Sequence, residues 1–300
     1  MGAGHPECPQ RLDAIEDRLL ITGLDQAIER REATPAALAD LELAHSRMHL
    51  AALRGLSDNL RDDMAAGGPA HAQIDPDTSI NVHSWDAILM AAGAAIDATD
   101  AVMAGEMVNA FCAVRPPGHH AGREKAMGFC FVNNVAVAAK YALERHGLKR
   151  VAIIDFDVHH GNGTEDIVAG DDRILMCSFY QHPFFPEGDH RQAANLVNLP
   201  VPAYTKGMDI RELIDMMWLP RLDAHRPEML FISAGFDAHR EDDMGQLALN
   251  ENDFAWITLR MKEVAQRHAK GRIVSCLEGG YSMSALARSV EAHLRVLADV

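Results

Sequence analysis

Five short apolar runs each end in chemically reactive side chains, and this pattern constrains the fold more than any other feature of the chain. Val151–Ile154 opens into Asp155-Phe-Asp157-Val-His159-His160-Gly-Asn162-Gly163. Val108–Val114 runs into Arg115-Pro-Pro-Gly-His119-His120-Ala121, and Ile174–Cys177 reaches Ser178. Met229–Ala234 ends in Gly235-Phe-Asp237-Ala-His239, and Arg272–Leu277 in Glu278-Gly-Gly-Tyr281. Short, mainly apolar runs of this length suit strands buried on both faces of a parallel sheet. Helical stretches fall between them: Asp86–Met103, Asn133–Arg145, Asp253–Lys270 and, closing the chain, Ala285–Leu297. Residues 1–65 read mainly as helix, with Arg11–Ile21 the clearest case. Strand, helix and strand at this spacing predict right-handed crossovers and a mostly parallel sheet between two helical layers, an α/β/α fold.

In an open α/β sheet, ligands gather beyond the carboxyl ends of the strands. Asp155, Asp157 and His159 share one face there if the extended geometry continues past Ile154. Two carboxylates held so close repel each other and are costly to bury unless a cation lies between them. Oxygen with imidazole is a donor set that suits zinc or another first-row divalent ion. Taken alone, the stretch also reads as a strand end with solvated charges and a capped helix behind it. Five strands delivering histidines, carboxylates, a serine and a tyrosine to one edge favour a site. Gly161-Asn-Gly163 lacks the spacing and lysine of a phosphate loop.

No Ser/Gly/Pro linker, repeat or low-complexity tract divides residues 1–300, and the reactive residues between positions 115 and 281 need one continuous sheet; a single domain is expected. Five scattered cysteines without a CxxC pair suit a reducing compartment. No signal peptide and no apolar span of ~20 residues is read from the sequence, so a soluble, cytoplasmic protein with no membrane partner is expected. The net charge of −15 argues against nucleic acid as a partner and is compatible with cationic substrates.

The motifs in this order resemble the histone deacetylase superfamily, whose fold is shared with arginase. The resemblance rests on His5-Pro-Glu7 with Arg11, Arg115-Pro-Pro-Gly-His-His-Ala121, Gly128-Phe-Cys130, Asp155-Phe-Asp-Val-His-His-Gly-Asn-Gly163, Phe184-Phe-Pro186, Gly235-Phe-Asp237 and Glu278-Gly-Gly-Tyr281. Asn162 and Phe236 are similar to the class II branch, with bacterial deacetylase-like amidohydrolases the nearest type. One departure is that the family's short strand and loop before His-Pro-Glu is absent from this sequence, which leaves the shape of the rim open.

The resemblance implies zinc ligands at Asp157, His159 and Asp237. It implies a tandem histidine pair in which His120, backed by Asn162, is general base and acid, while His119, backed by Asp155, gives electrostatic support. Tyr281 is implied as donor to the substrate carbonyl, with Gly279 and Gly280 allowing a tight turn before it. A structural monovalent cation, potassium, is implied at Asp155, Asp157, His159, Ser178 and Phe179. Gly128, Phe129 and Phe185 correspond to the walls of a narrow channel suited to an acyl-lysine stem, although the two phenylalanines also read as ordinary core. Asp77 reads equally as the rim carboxylate or as a turn residue. Met244 stands where polyamine-selective relatives place a glutamate, which disfavours a second ammonium. Among the other histidines, His5, His45, His71, His182, His225 and His268 read mostly as surface or structural.

The expected activity is therefore zinc-dependent removal of acetyl or related acyl groups from lysine side chains of peptides or proteins, or from small amines. An acetylpolyamine amidohydrolase on the same scaffold is the nearest rival. A dimanganese ureohydrolase would need further bridging aspartates, and a silent binding protein would not need both histidines, three ligands and Tyr281. The sequence assigns no oligomeric state.

Overall fold

The computed structural model describes residues 1–300 apart from Ala3, Asp189 and His190. In chain order the elements are α1 (Gln10–Thr22), α2 (Leu38–Leu41), α3 (Arg47–Ala65), β1 (His71–Gln73), β2 (Ser79–Asn81), α4 (Ser84–Ala104), β3 (Asn109–Cys112) and α5 (Asn134–Glu144). There follow β4 (Val151–Asp155), α6 (Asn162–Val168), β5 (Ile174–Gln181), β6 (Leu196–Val201), α7 (Gly207–Leu213), α8 (Leu219–His225), β7 (Leu230–Ala234), α9 (Glu251–His268), β8 (Ile273–Leu277) and α10 (Met283–Ala298). Among the described residues, six strands form one sheet in the order β3-β8-β7-β4-β5-β6, with every pairing parallel. The expected three-layer fold is what the chain adopts. One apolar cluster joins α1, α9 and α10 to one sheet face through Ile154, Ile232, Ile257 and Leu294. Another joins α4 and α5 to the opposite face through Ala95, Val135, Ile153 and Phe231.

Strand order decides what the site contains. β4 lies between β7 and β5, so the segment after Asp155 emerges between the loop carrying Asp237 and the end of β5 carrying Ser178. β8 lies next to β7 and β3 next to β8, which adds Tyr281 and then the two histidines in spatial sequence. Residues 160 positions apart thus meet because their strands are neighbours.

Three expectations need correction. The sheet has a sixth strand, β6, whose Asn198 and Pro200 interrupt the apolar run; among the described residues it pairs only with β5, and an edge strand tolerates such residues. A two-stranded antiparallel ribbon, β1–β2, escaped the sequence pattern because each strand has three residues. Helix α4, against the expectation of no long apolar span, is long and apolar enough by composition to cross a bilayer. Here Trp85, Ile88, Ala92, Ala95 and Val102 bury it as a core helix. On its far side, β3 has no second strand partner among the described residues, and a cavity of about 810 Å³ lined by Ile15, Leu19, Ala98, Phe111 and Leu294 lies against it.

Candidate active site

β4 stops at Asp155, so no extended pleat carries Asp157 and His159 to a common face. They converge through side-chain turns instead. Asp157 N–H donates to Asp155 Oδ1 (3.1 Å), and His159 N–H donates to Asp157 Oδ1 (2.9 Å). Short aspartate side chains capture backbone amides two residues on, which folds the strand end into a tight knuckle. Asp155 then faces His119 and only Asp157 and His159 face Asp237; the single shared face expected from strand alternation is corrected accordingly.

The donor atoms of Asp157, His159 and Asp237 lie within 4.8 Å of one another, all buried. His159 Nδ1 sits 3.0 Å from Asp157 Oδ1 and 3.3 Å from Asp237 Oδ2, but Asp237 Oδ2 makes no hydrogen bond of good geometry. Both carboxylates press against backbone: a Cβ on Gly235 would collide with Asp157 Oδ2, and one on Gly279 with Asp237 Oδ2. Gly279 is therefore required by close approach, whereas Gly280, at φ +120°, is the residue that needs glycine for its backbone turn. Burial, opposed by hydrogen bonds and by the charges of both aspartates, leaves His159 raised to about 10. Burial and then the charge of Asp157 raise Asp237 to about 7. An orphaned carboxylate oxygen and a crowded Asp-His-Asp donor set fit a divalent ion of the zinc type.

The tandem histidines are oriented differently. His119 Nδ1 lies 3.0 Å from Asp155 Oδ2, and His120 Nδ1 lies 2.8 Å from Asn162 Oδ1, with ring centroids 4.0 Å apart. Burial pushes His119 down, but the charges of Asp157 and Asp155 outweigh it and hold the ring well above its usual value. Burial, reinforced by His119, holds His120 well below. The two rings are thus biased in opposite directions, His119 towards its protonated form and His120 towards its neutral form. Burial also keeps the Tyr281 phenol protonated, against the opposing field of the Arg11 guanidinium 4.8 Å above its ring.

Phe129 and Phe185 have separate partners. Phe129 meets Tyr281 and His5 edge-on, while Phe185 meets His120 edge-on at 5.2 Å. Phe129 adopts φ +68°, an uncommon conformation for a bulky residue, with its N–H held by Thr78 Oγ1 (2.9 Å). Gly128 packs against the His120 ring, 2.5 Å from where its Cβ would stand. Asp77 is exposed in the β1–β2 turn and accepts from Thr78 Oγ1 (3.1 Å); its carbonyl lies 3.2 Å from His5 Nε2, which ties that turn to the channel wall. Met244 is half-buried, its N–H held by Asp242. Ser178 pairs in register with Asp155 and buries its Oγ without a hydrogen bond, and Phe179 turns its ring away onto Trp218.

Several groups here had no assignment from sequence. Phe184 stacks on His159 at 5.5 Å. Asp242 Oδ2 accepts from the N–H groups of Tyr281 (2.6 Å) and Ser282 (2.9 Å). Fully buried Arg11 donates to the carbonyls of Gly280 (2.7 Å) and Glu278 (2.5 Å), and Glu7 ties Arg11 to Arg115. His45, read from sequence as surface or structural, is buried and structural: it bonds the carbonyl of Gly122 and accepts from the N–H of Asn133, bracing the histidine loop from behind. Arg11, Glu7 and Phe184 left a signal, as residues inside quoted motifs, but without a role.

Residues 5–297 match the histone deacetylase domain model. The chain is 38% identical over 289 residues to the histone deacetylase-like amidohydrolase of Pseudomonas aeruginosa, covering 93% of this chain and 73% of that protein. It is 36% identical over 299 residues to the polyamine deacetylase HDAC10 of Mus musculus, covering 95% of this chain and 43% of that one. The solved HDA15 HD domain superposes with a TM-score of 0.89 at 32% identity, covering all of this chain and 85% of the other.

Proposed function

We propose, for a chain that belongs to the histone deacetylase family and is a hydrolase acting on amide bonds, that its substrate is an N-ε-acyl-lysine side chain and that Asp157, His159 and Asp237 hold zinc. The observation that carries this reading is the buried Asp-His-Asp donor set with an orphaned carboxylate oxygen, set beside two histidines whose surroundings bias them in opposite directions. Bound there, zinc would supply Lewis acidity to the amide carbonyl and acidify a water.

The chain's own residues do the rest. Neutral His120, its ring fixed by Asn162, takes the proton from the attacking water and later passes it to the departing amine. Cationic His119 supports the negative charge that develops meanwhile. Tyr281, kept as a phenol, donates a hydrogen bond to the carbonyl oxygen as it gains charge. Phe129 and Phe185 flank the aliphatic stem and exclude water. An inner potassium at Asp155, Asp157, His159, Ser178 and the backbone of Phe179 is part of the same reading, supported by the unpartnered Ser178 Oγ.

Acetylpolyamines are the second reading, favoured by the similarity to a polyamine deacetylase. Met244 weighs against it: it follows Asp242, which also holds Tyr281, and offers no anion for a second ammonium. Kinetics on an acetyl-lysine peptide and an acetylpolyamine test the choice. Wild type should prefer the peptide, and Met244→Glu should shift the ratio towards the polyamine. A ratio that Met244→Glu leaves unchanged would remove the argument for lysine.

A further inference from the structure

Glu278 lies at the end of β8, completely buried, and the chemistry above gives it no part. Its side chain nevertheless spans two neighbouring strand ends. Oε2 accepts from the backbone N–H of Gly118 (2.6 Å) and of His119 (3.1 Å), in the loop after β3. Oε1 accepts from Ser233 Oγ (3.1 Å), on β7. Its own backbone is pinned as well, with N–H on the carbonyl of Ala234 (2.9 Å) and its carbonyl held by Arg11.

The next residues extend the connection. Gly279 N–H donates to Asp157 Oδ2 (2.9 Å), and Tyr281 follows two positions later. The loop that Glu278 grips has no slack on its other side. A Cβ on Gly118 would stand 2.6 Å from Asn134 N, the carbonyl of His119 accepts from Thr164 N–H (3.0 Å), and Asn134 Nδ2 reaches the carbonyl of Pro116 (3.2 Å). Among these contacts, Glu278 is the residue that bonds the histidine loop by its side chain and continues into the tyrosine loop by its backbone.

We infer that Glu278 is a positioning residue whose carboxylate fork sets the tandem-histidine loop at a fixed distance from Tyr281. The inference rests on the proposed roles of His120 and Tyr281, because it states how the two are held in register. The fork works as an acceptor of three hydrogen bonds. Both backbone N–H groups use one oxygen, while the other oxygen meets a hydroxyl that can turn from donor to acceptor. Glutamine fits those demands, with its carbonyl towards Gly118 and His119 and its amide N–H towards Ser233. Alanine leaves two buried N–H groups without acceptors and frees the loop.

Steady-state kinetics per metal-loaded, folded molecule and amide hydrogen exchange, on wild type, Glu278→Gln and Glu278→Ala, test the inference. Glu278→Ala should lose about 10²-fold in kcat, the usual cost of a misplaced reacting group, with KM little changed. Its amide exchange should accelerate over residues 115–121 while β4 and β5 stay protected. Glu278→Gln should lose less than tenfold and keep wild-type exchange in the loop. An alanine variant with normal kcat, or with exchange raised equally throughout the sheet, would reduce Glu278 to a stability element. A glutamine variant as damaged as alanine would mean that the charge matters and the fork does not. Exchange needs no substrate, so failure of the proposed deacylation would leave this result readable.

Discussion

His119 and His120 are adjacent in sequence yet sit in opposite electrostatic settings, and this division is what makes their roles separable. Two carboxylates face His119, whereas His120 faces an amide oxygen and a neighbouring cation. A base must be unprotonated at the working pH, so the neutral ring takes that part. His120→Ala should therefore fold, keep its metal and lose activity at or beyond the upper end of the ~10²–10⁴-fold credited to one acid–base group, since it serves both proton transfers. His119→Ala should be milder. Turnover numbers for the two variants across pH decide it, and a larger loss at His119 would mean the roles are reversed. The ligand residues and both histidines were legible because each closes an apolar run. Glu278 closes such a run too, yet its role was not legible, and Asp242 lies outside any run. Their partners are backbone amides 160 and 39 positions away, and an amide looks the same at every residue.

At the scale of elements, α9 and α10 meet over β8 through a buried imidazole. Thr258 Oγ1 donates to the carbonyl of Phe254 (2.7 Å), so towards His293 Nδ1 (2.7 Å) it can only accept. Nδ1 therefore carries the proton, and Nε2 accepts from Ser275 Oγ (3.0 Å). Burial lowers His293 to about 3, and burial likewise lowers His45 to about 3. Both values lie below the unfolded value near 6.5, so the unfolded chain binds more protons in that window. The contribution to stability is complete above pH 6.5 and is lost as pH falls towards 3, by up to about 1.4 kcal/mol per pH unit per histidine. Urea unfolding of wild type and His293→Met between pH 6.5 and 5 checks this. The variant should show the shallower decline, and parallel curves would exclude His293 as a cause. Periodicity located α1, α4, α5, α9 and α10 to within a few residues of their ends and read α3 only as part of a helical stretch. It missed β6 and the β1–β2 ribbon, where three to six residues broken by polar positions leave no period to read.

For the whole molecule, the parallel strand order turns scattered motifs into one site. Asp157 and His159 after β4, Asp237 after β7, Tyr281 after β8 and the histidines after β3 meet only because those strands are neighbours in that order. The family resemblance and the alternating pattern both pointed to this layout, whereas the network that braces it became visible only in three dimensions. The Asp-His-Asp centre is proposed to hold the metal on which amide hydrolysis depends. The most direct measurement is zinc content together with acetate release from an acetyl-lysine peptide, for wild type and Asp237→Ala, after metal stripping and after zinc is returned. Wild type should hold about one zinc per chain at this three-ligand site, with release restored only on reloading, and Asp237→Ala should show little zinc or release. Undiminished release by the stripped protein, or full zinc occupancy with normal turnover in Asp237→Ala, would contradict it.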